Sequence, residues 1–270
     1  MVLINGVPGE FVRVFDRGLM YGDGVFRTMR VENGSLPNWT HHYAKLGRDC
    51  AALGIRCPAE ATLLEEAKRL IAADAGGVLK IIVTRGEGAR GYAILAGIEA
   101  TRILMLSPLP SYPAAYYSEG VRAHLCKTRL ALQPALAGIK HLNRLENVLA
   151  RREWDDPAIA EGLMLDMEDN VIEGTMTNLF ARHGETLHTP GLERCGVAGV
   201  QRERIMALAG LLGLEVKVGA LSIQSLFDAD EVVLCNSVIG VWQLRELGGV
   251  ALRGGDLAYR LRELLQDENN

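Results

Sequence analysis

The chain has 270 residues, 49% hydrophobic and 23% charged, with a formal net charge of -4, a globular composition long enough for one large domain or two medium ones. Without a long basic run it lacks the concentrated cationic face that nucleic-acid binding needs, and no apolar run approaches a membrane span. The opening MVLINGVPGEF has turn residues where a secretory signal needs its apolar stretch, and Cys50, Cys57, Cys126, Cys195 and Cys235 form no CxxC pair; a reduced, cytoplasmic setting without a disulfide framework or zinc site is expected.

Along the chain, Asn5-Gly6 predicts a hairpin turn, and the strand pattern resumes at Val12, Val14 and Phe15. A Gly-Asp-Gly turn leads into a strand from Val25 to Val31, closed by Asn33-Gly34. Helices are expected over 39–53 and 59–75. VLKIIVTRGEGARGYAILAG then gives a strand, a glycine-rich corner and more extended sequence, and TRILMLSPLP closes this half with another strand. The prolines of PLPSYPAAYYSEG suggest an interdomain linker.

VRAHLCKT reads as a strand. GIKHLNRLENVLARRE reads as an amphipathic helix in which Leu142, Leu145 and Leu149 recur at helical spacing. GLMLDMEDNVIEGTMTNLFARHGETLHTP alternates strands and turns, VQRERIMALAGLLGL is a helix ending at a glycine, DEVVLCNSVIGVWQL is a strand, and LAYRLRELLQ a last helix. The fold class is mixed α/β: residues 1–107 form an N-terminal domain, 108–119 the linker and 120–270 the C-terminal domain, with the site expected in the cleft between the two.

Several residues invite a chemical reading beside an ordinary one. Residues 86–91, GEGARG, match GxGxxG after a strand, but a dinucleotide site needs a helix to begin there and extended sequence follows; a bent strand connection is the better account. Its flanking Arg85 and Arg90 are either anion contacts or solvated surface. Lys140 is either a surface lysine or, at the start of a helix, a cation in the wrong half of the dipole. If buried there it favours the neutral amine that carbonyl chemistry requires. Glu173, between Val171-Ile172 and Leu179-Phe180, lies on the wet face of a strand or is buried with a cationic partner, of which a pyridinium nitrogen is one. GVAGVQRERI sets glycines before a helix and CNSVIG puts Asn236 and Ser237 at the end of a strand, two places able to cradle a phosphate. No Ser-His-Asp or metal-ligand spacing stands out; His41-His42 reads as surface or capping.

FDRGLMYGDGVFRTMRV, KHLNRLENVLAR and EGTMTNLF together resemble the fold-type IV pyridoxal-phosphate enzymes, the class-IV aminotransferase group, and the likeness runs end to end. That resemblance implies the two-domain architecture of the group, with pyridoxal 5'-phosphate held by Lys140 as an internal aldimine and Glu173 on its pyridine nitrogen. Gly199, Val200, Gln201, Asn236 and Ser237 fall where the group's phosphate loops lie. The usual phosphate arginine of a His-x-x-Arg-Leu segment is Lys45 here, a point charge without a bidentate fork, and Arg48 is a possible substitute. Gln201 stands where related transaminases often have threonine.

The run around Lys140 is most similar to the lyases of the group. These convert 4-amino-4-deoxychorismate to 4-aminobenzoate and pyruvate, Lys140 serving as general base and then acid. Arg27, Arg30, Arg85 and Arg90 are the candidates for the two substrate carboxylates. A D-amino-acid or branched-chain aminotransferase on the same fold is the alternative. The resemblance also implies a homodimer and a small-molecule dicarboxylate substrate; the absence of metal-ligand spacing predicts no metal.

Overall fold

The structure, a computed structural model, describes residues 1–71 and 76–267. The chain divides into two compact units: Met1–Pro110 with Ile139–Asn143, and Ser111–Gly138 with Arg144–Asn270.

The first unit contains, in order, β1 (Val2–Ile4), β2 (Val7–Pro8), α1 (Arg17–Tyr21), β3 (Gly24–Val31), α2 (Trp39–Ala52), α3 (Glu60–Leu70), β4 (Gly77–Thr84) and β5 (Thr101–Ser107). Its antiparallel sheet has the order β2-β1-β5-β4-β3, which leaves β3 at an edge. In β3 the residues Val25, Arg27, Met29 and Val31 all lie on the buried face. The three apolar ones pack with Leu46, Cys50, Leu63, Leu79 and Ile81 from α2, α3 and β4. Arg27 is therefore a cation on a core-facing row, and burial of that kind demands a partner. The helix expected to reach residue 75 runs to Leu70, and 72–75 lie outside the described residues.

The second unit contains α4 (Ala115–Ser118), β6 (Val121–Leu130), α5 (Leu145–Arg151), β7 (Ile159–Asp166), β8 (Val171–Gly174), β9 (Asn178–His183), β10 (Thr186–Pro190), α6 (Val200–Leu208), β11 (Glu215–Gly219), α7 (Ile223–Asp228), β12 (Glu231–Asn236), β13 (Gly240–Leu247), β14 (Val250–Ala251) and α8 (Leu257–Asp267). Its large mixed sheet has the order β11-β10-β9-β12-β13-β6-β7-β8, with β14 paired to β13. Both faces are covered. Val232 and Leu234 of β12 join Leu226 of α7 in one core, while Val233 and Cys235 join Ile205 of α6 and Leu261 of α8 in another. A strand buried on both faces reads as a continuous apolar run, which is why EVVLC shows no alternation.

Within the stretch read as a linker, α4 forms and its neighbours pack: Tyr112, Tyr116 and Tyr117 meet Trp242 edge-on, with ring centroids 4.9, 5.3 and 6.2 Å away. The largest departure from the sequence reading concerns GIKHLNRLENVLARRE. The helix begins only at Leu145, so Lys140 is not in its first turn and the dipole argument for a neutral amine does not apply. Ile139–Leu142 instead extends the first unit's sheet at the β3 edge. Phe26 N–H donates to the Lys140 carbonyl and Leu142 N–H to the Gly24 carbonyl, each at 2.9 Å. His141 forms an antiparallel bridge with Val25. Gly138, at φ +74°, makes the turn before it in a conformation that favours glycine. An edge strand offers this segment partners for backbone groups that a helix start would leave orphaned. Nor do Leu145 and Leu149 form a buried face of an amphipathic helix: they are 74% and 50% exposed in the single chain, with Val148 beside them at 53%.

Candidate active site

In the first unit, the zipped segment sets Lys140 half-buried on the β3 edge, its Nζ 4.7 Å from the centre of the Phe26 ring. Its backbone N–H donates to Asp49 Oδ2 at 3.1 Å. Asp49, near the end of α2, is a node: Arg27 and Lys45 also bind this carboxylate, and all three side chains are buried. Lys45 and Asp49 are one helical turn apart, so their side chains meet on one face of α2. Two cations sharing one carboxylate beside Lys140 give this corner the positive character that a phosphate or carboxylate ligand requires. Arg48 is exposed.

The remaining arginines separate. Arg85 is buried and clamps the fold: its Nε and Nη2 meet Asp23 at 2.7 and 3.0 Å, and its Nη1 and Nη2 donate to the Gly54 and Leu53 carbonyls at 2.8 and 2.7 Å. Burial pushes the Asp23 carboxyl up, and Arg85 with Arg17 more than reverses this, holding it below the ordinary carboxylate range. Arg30 Nε meets Glu32 at 3.0 Å near the surface, and Arg90 is exposed. No helix starts at GEGARG; residues 85–100 connect β4 to β5. Gly86, at φ +97°, has the Glu99 carbonyl oxygen where a Cβ would stand, 1.9 Å away, so this glycine serves a tight corner rather than a pyrophosphate.

In the second unit, Glu173 is the penultimate residue of β8 and is 3% exposed, which removes the wet-face reading. Val197 N–H donates to its Oε2 at 2.8 Å. Its cationic neighbour is Arg144, a residue the sequence did not single out. Burial pulls the Arg144 guanidinium below its ordinary value, and the charges of Glu173 and Glu146 work against that pull.

Asn178 joins this region to α6. Its Nδ2 donates to the Val197 carbonyl at 2.8 Å, and its Oδ1 accepts from Gly199 N–H at 3.1 Å. A Cβ on Gly199 would stand 2.4 Å from that oxygen, so only glycine admits the approach. Gly199 caps α6 without a side-chain hydrogen bond. The Val200 and Gln201 amides are thus first-turn donors of the kind that hold anions, while the Gly199 amide is taken by Asn178. Gln201 Oε1 accepts from Arg204 Nη1 at 3.3 Å. Asn236 builds its own loop, Oδ1 accepting from the Val238 and Ile239 amides at 2.8 and 2.9 Å and Nδ2 donating to the Met176 carbonyl at 3.1 Å; Ser237 is half-buried next to it.

Within the second unit, then, Glu173, residues 199–201 and residues 236–237 are joined through the 175–178 turn and Val197. Within the first, Lys140, Lys45 and Arg27 share Asp49, whereas Arg30, Arg85 and Arg90 stand elsewhere. Asp49, Arg144 and Asn178 were missed. The one sequence signal for any of them was the Lys45–Asp49 spacing, which on its own describes countless surface pairs.

These residues lie within the span, 24–247, that matches the family model described as Amino-transferase class IV. The aminodeoxychorismate lyase of Vibrio harveyi is 38% identical over 242 residues, covering 89% of each chain. The crystal structure of 4-amino-4-deoxychorismate lyase from Pseudomonas aeruginosa matches at a TM-score of 0.94 and 45% identity, covering 99% of each chain. A D-alanine aminotransferase of Bacillus licheniformis is 27% identical over 261 residues, covering 94% of this chain and 90% of that one. With a family model spanning most of its length and these relatives matched nearly end to end, the chain belongs to the class-IV aminotransferase family.

Proposed function

We propose that this chain is a pyridoxal-phosphate-dependent lyase that converts 4-amino-4-deoxychorismate to 4-aminobenzoate and pyruvate. One observation carries the choice of reaction: the likeness to a lyase of known structure is 45% identity over 99% of both chains, against 27% to the D-alanine aminotransferase.

The residues present fit the cofactor. A buried carboxylate aimed by a backbone amide, Glu173, suits a pyridinium nitrogen, and its charge keeps that nitrogen protonated. The start of α6, where the Gly199 amide is held by Asn178 and the Val200 and Gln201 amides follow, suits a phosphate, as do Ser237 and the cationic Lys45. Lys140 would hold the cofactor at its aldehyde. When bound, pyridoxal phosphate supplies an electron sink conjugated to the substrate's amine.

The protein's own work is then proton movement and charge placement. Lys140 Nζ removes the proton at C4 of the substrate ring. The C3–oxygen bond breaks, its electron pair leaving with the enolpyruvyl oxygen, and the ring becomes aromatic. Lys140 returns a proton to the methylene carbon of the departing enolpyruvate, which completes pyruvate. Of the arginines expected to receive the two carboxylates, Arg85 is withdrawn because four of its bonds are spent on Asp23 and two carbonyls. Arg27, Arg30 and Arg90 remain the candidates.

A homodimer is part of this reading. The apolar row Leu145, Val148 and Leu149 of α5, exposed in the single chain, supports an interface with a second copy. A cytoplasmic setting is supported by five cysteines that are all free thiols. The test of the function is stoichiometric. Protein reconstituted with pyridoxal phosphate and given 4-amino-4-deoxychorismate, with no oxo acid added, should release 4-aminobenzoate and pyruvate in equal amounts. Failure to form 4-aminobenzoate removes the reading.

A further inference from the structure

Glu161 of β7 is fully buried, and the mechanism above does not use it. Its carboxylate accepts five hydrogen bonds. Oε1 receives the Gly162 amide at 2.8 Å, the Thr175 amide at 3.0 Å and the Thr175 hydroxyl at 2.5 Å. Oε2 receives the Met176 amide at 3.2 Å and the Thr177 hydroxyl at 2.8 Å. All five donors are neutral, and four of them come from the three-residue turn Thr175–Thr177. Burial pushes the Glu161 carboxyl up, and these donors pull against that rise. The fit is close: a Cβ on Gly174 would stand 2.2 Å from the Thr177 hydroxyl and 2.7 Å from Glu161 Oε2.

That turn is the piece to which the second unit's candidate groups are fastened. Glu173 lies two residues before it, separated from it only by Gly174, whose N–H donates to the Thr177 carbonyl at 2.7 Å. Asn178 immediately follows it and holds both the Val197 carbonyl and the Gly199 amide at the start of α6. Asn236 donates to the Met176 carbonyl, which ties down the Asn236–Ser237 loop. Asn147 Nδ2 donates to the Thr175 carbonyl at 3.0 Å. A carboxylate ignored by the chemistry thus holds the one segment shared by the carboxylate, helix-start and loop candidates.

We infer that Glu161 is a positioning residue: through the Thr175–Thr177 turn it sets Glu173, the Gly199–Gln201 helix start and the Asn236–Ser237 loop in register for one phosphorylated pyridine ligand. This rests on the pyridoxal-phosphate reading above. A glutamine at 161 fills the same space but brings an NH2 group among five donors, so at least one N–H faces another and the turn must shift. Groups in this outer layer act on a ligand by fixing those that touch it.

The test measures pyridoxal 5'-phosphate affinity of the apo-protein by fluorescence quenching, well below its unfolding temperature, and the pH titration of the bound cofactor's visible absorbance. Glu161→Gln should weaken the cofactor about tenfold or more and move the titration midpoint. Thr175→Val and Thr177→Val, which keep shape and lose the hydroxyl, should do the same to a smaller degree, while Thr175→Ser restores the wild-type value. If Glu161→Gln does not fold, the threonine variants decide. Folded variants with wild-type affinity and an unmoved titration, even with a lowered melting temperature, overturn the inference and leave the cofactor reading intact. A wild-type protein that does not bind pyridoxal phosphate overturns that reading and this inference with it.

Discussion

At the scale of single residues, Asp49 is a buried node of the first unit. Three partners converge on it, two of them buried cations. Replacing it by alanine leaves Arg27 and Lys45 buried without their shared carboxylate, and breaking a buried pair from one side typically costs about 3 kcal/mol or more. Urea unfolding of Asp49→Ala should register a loss of that order. An Asp49→Ala protein as stable as wild type would remove Asp49 as the node. Lys140→Ala is expected to behave in the opposite way: melting within a few degrees of wild type and no detectable lyase turnover, because the side chain rests against Phe26 at a half-buried edge. Residual turnover near the wild-type rate would take the proton transfers away from Lys140. Glu173→Gln should lower turnover by about a hundredfold while the chain stays folded, since an amide no longer holds a pyridinium proton.

Lys140 and Glu173 stand out as candidates in the sequence chiefly because the resemblance singles them out. Asp49, Glu161, Arg144 and Asn178 do not. Each is polar and common, and its weight comes from burial and partners distant along the chain, such as Glu161 against Thr175.

At the scale of elements, the instructive failure is GIKHLNRLENVLARRE. Its leucine spacing is helical, yet the segment divides at Asn143-Arg144, the first part zipping onto β3 and the second forming α5. Periodicity registers which residues are apolar; it does not register that a strand edge waits 114 to 118 residues away in sequence to satisfy the Lys140 and Leu142 backbone. The continuous apolar runs, by contrast, do form strands, and burial on both faces explains why they lack alternation. Directly after α5, Glu153 fastens the irregular part of β6. Burial pushes its carboxyl up, but the Lys127 amide, the Thr128 hydroxyl and amide and His124 outweigh this and bring it from 4.5 down to about 2. A carboxyl lowered in the folded chain stabilises it fully above about 4.5, and this contribution is lost as pH falls towards 2. Wild type should therefore lose more stability than Glu153→Gln between pH 5 and pH 2 in parallel thermal melts. Equal losses would show that Glu153 contributes nothing to the acid limb.

At the scale of the whole molecule, the chain forms two units but does not finish one before starting the other. Ile139–Asn143 belongs with the first although both its flanks belong with the second. Length and composition bound the size, the alternation of strand and helix patterns gives the mixed α/β character, and the proline-rich stretch lies near the first change of unit. The return of five residues leaves no compositional trace, since a short segment bridged to a sheet edge can be made from ordinary sequence. The exposed row on α5 belongs to this scale as well. If it is an interface, the protein should sediment at twice its chain mass, and Leu145→Asp with Val148→Asp should shift it to the monomer. A wild-type monomer at micromolar concentration would rule that interface out.

The family holds both lyases and aminotransferases, so the central claim is the direction of one proton transfer, and the most direct test compares the two outcomes on one preparation. The reconstituted protein is given 4-amino-4-deoxychorismate in one series and D-alanine or leucine with 2-oxoglutarate in the others, and kcat/KM is measured for each. The lyase account predicts that 4-aminobenzoate formation has the highest kcat/KM and disappears in Lys140→Ala. Amino transfer proceeding while no 4-aminobenzoate forms would contradict it.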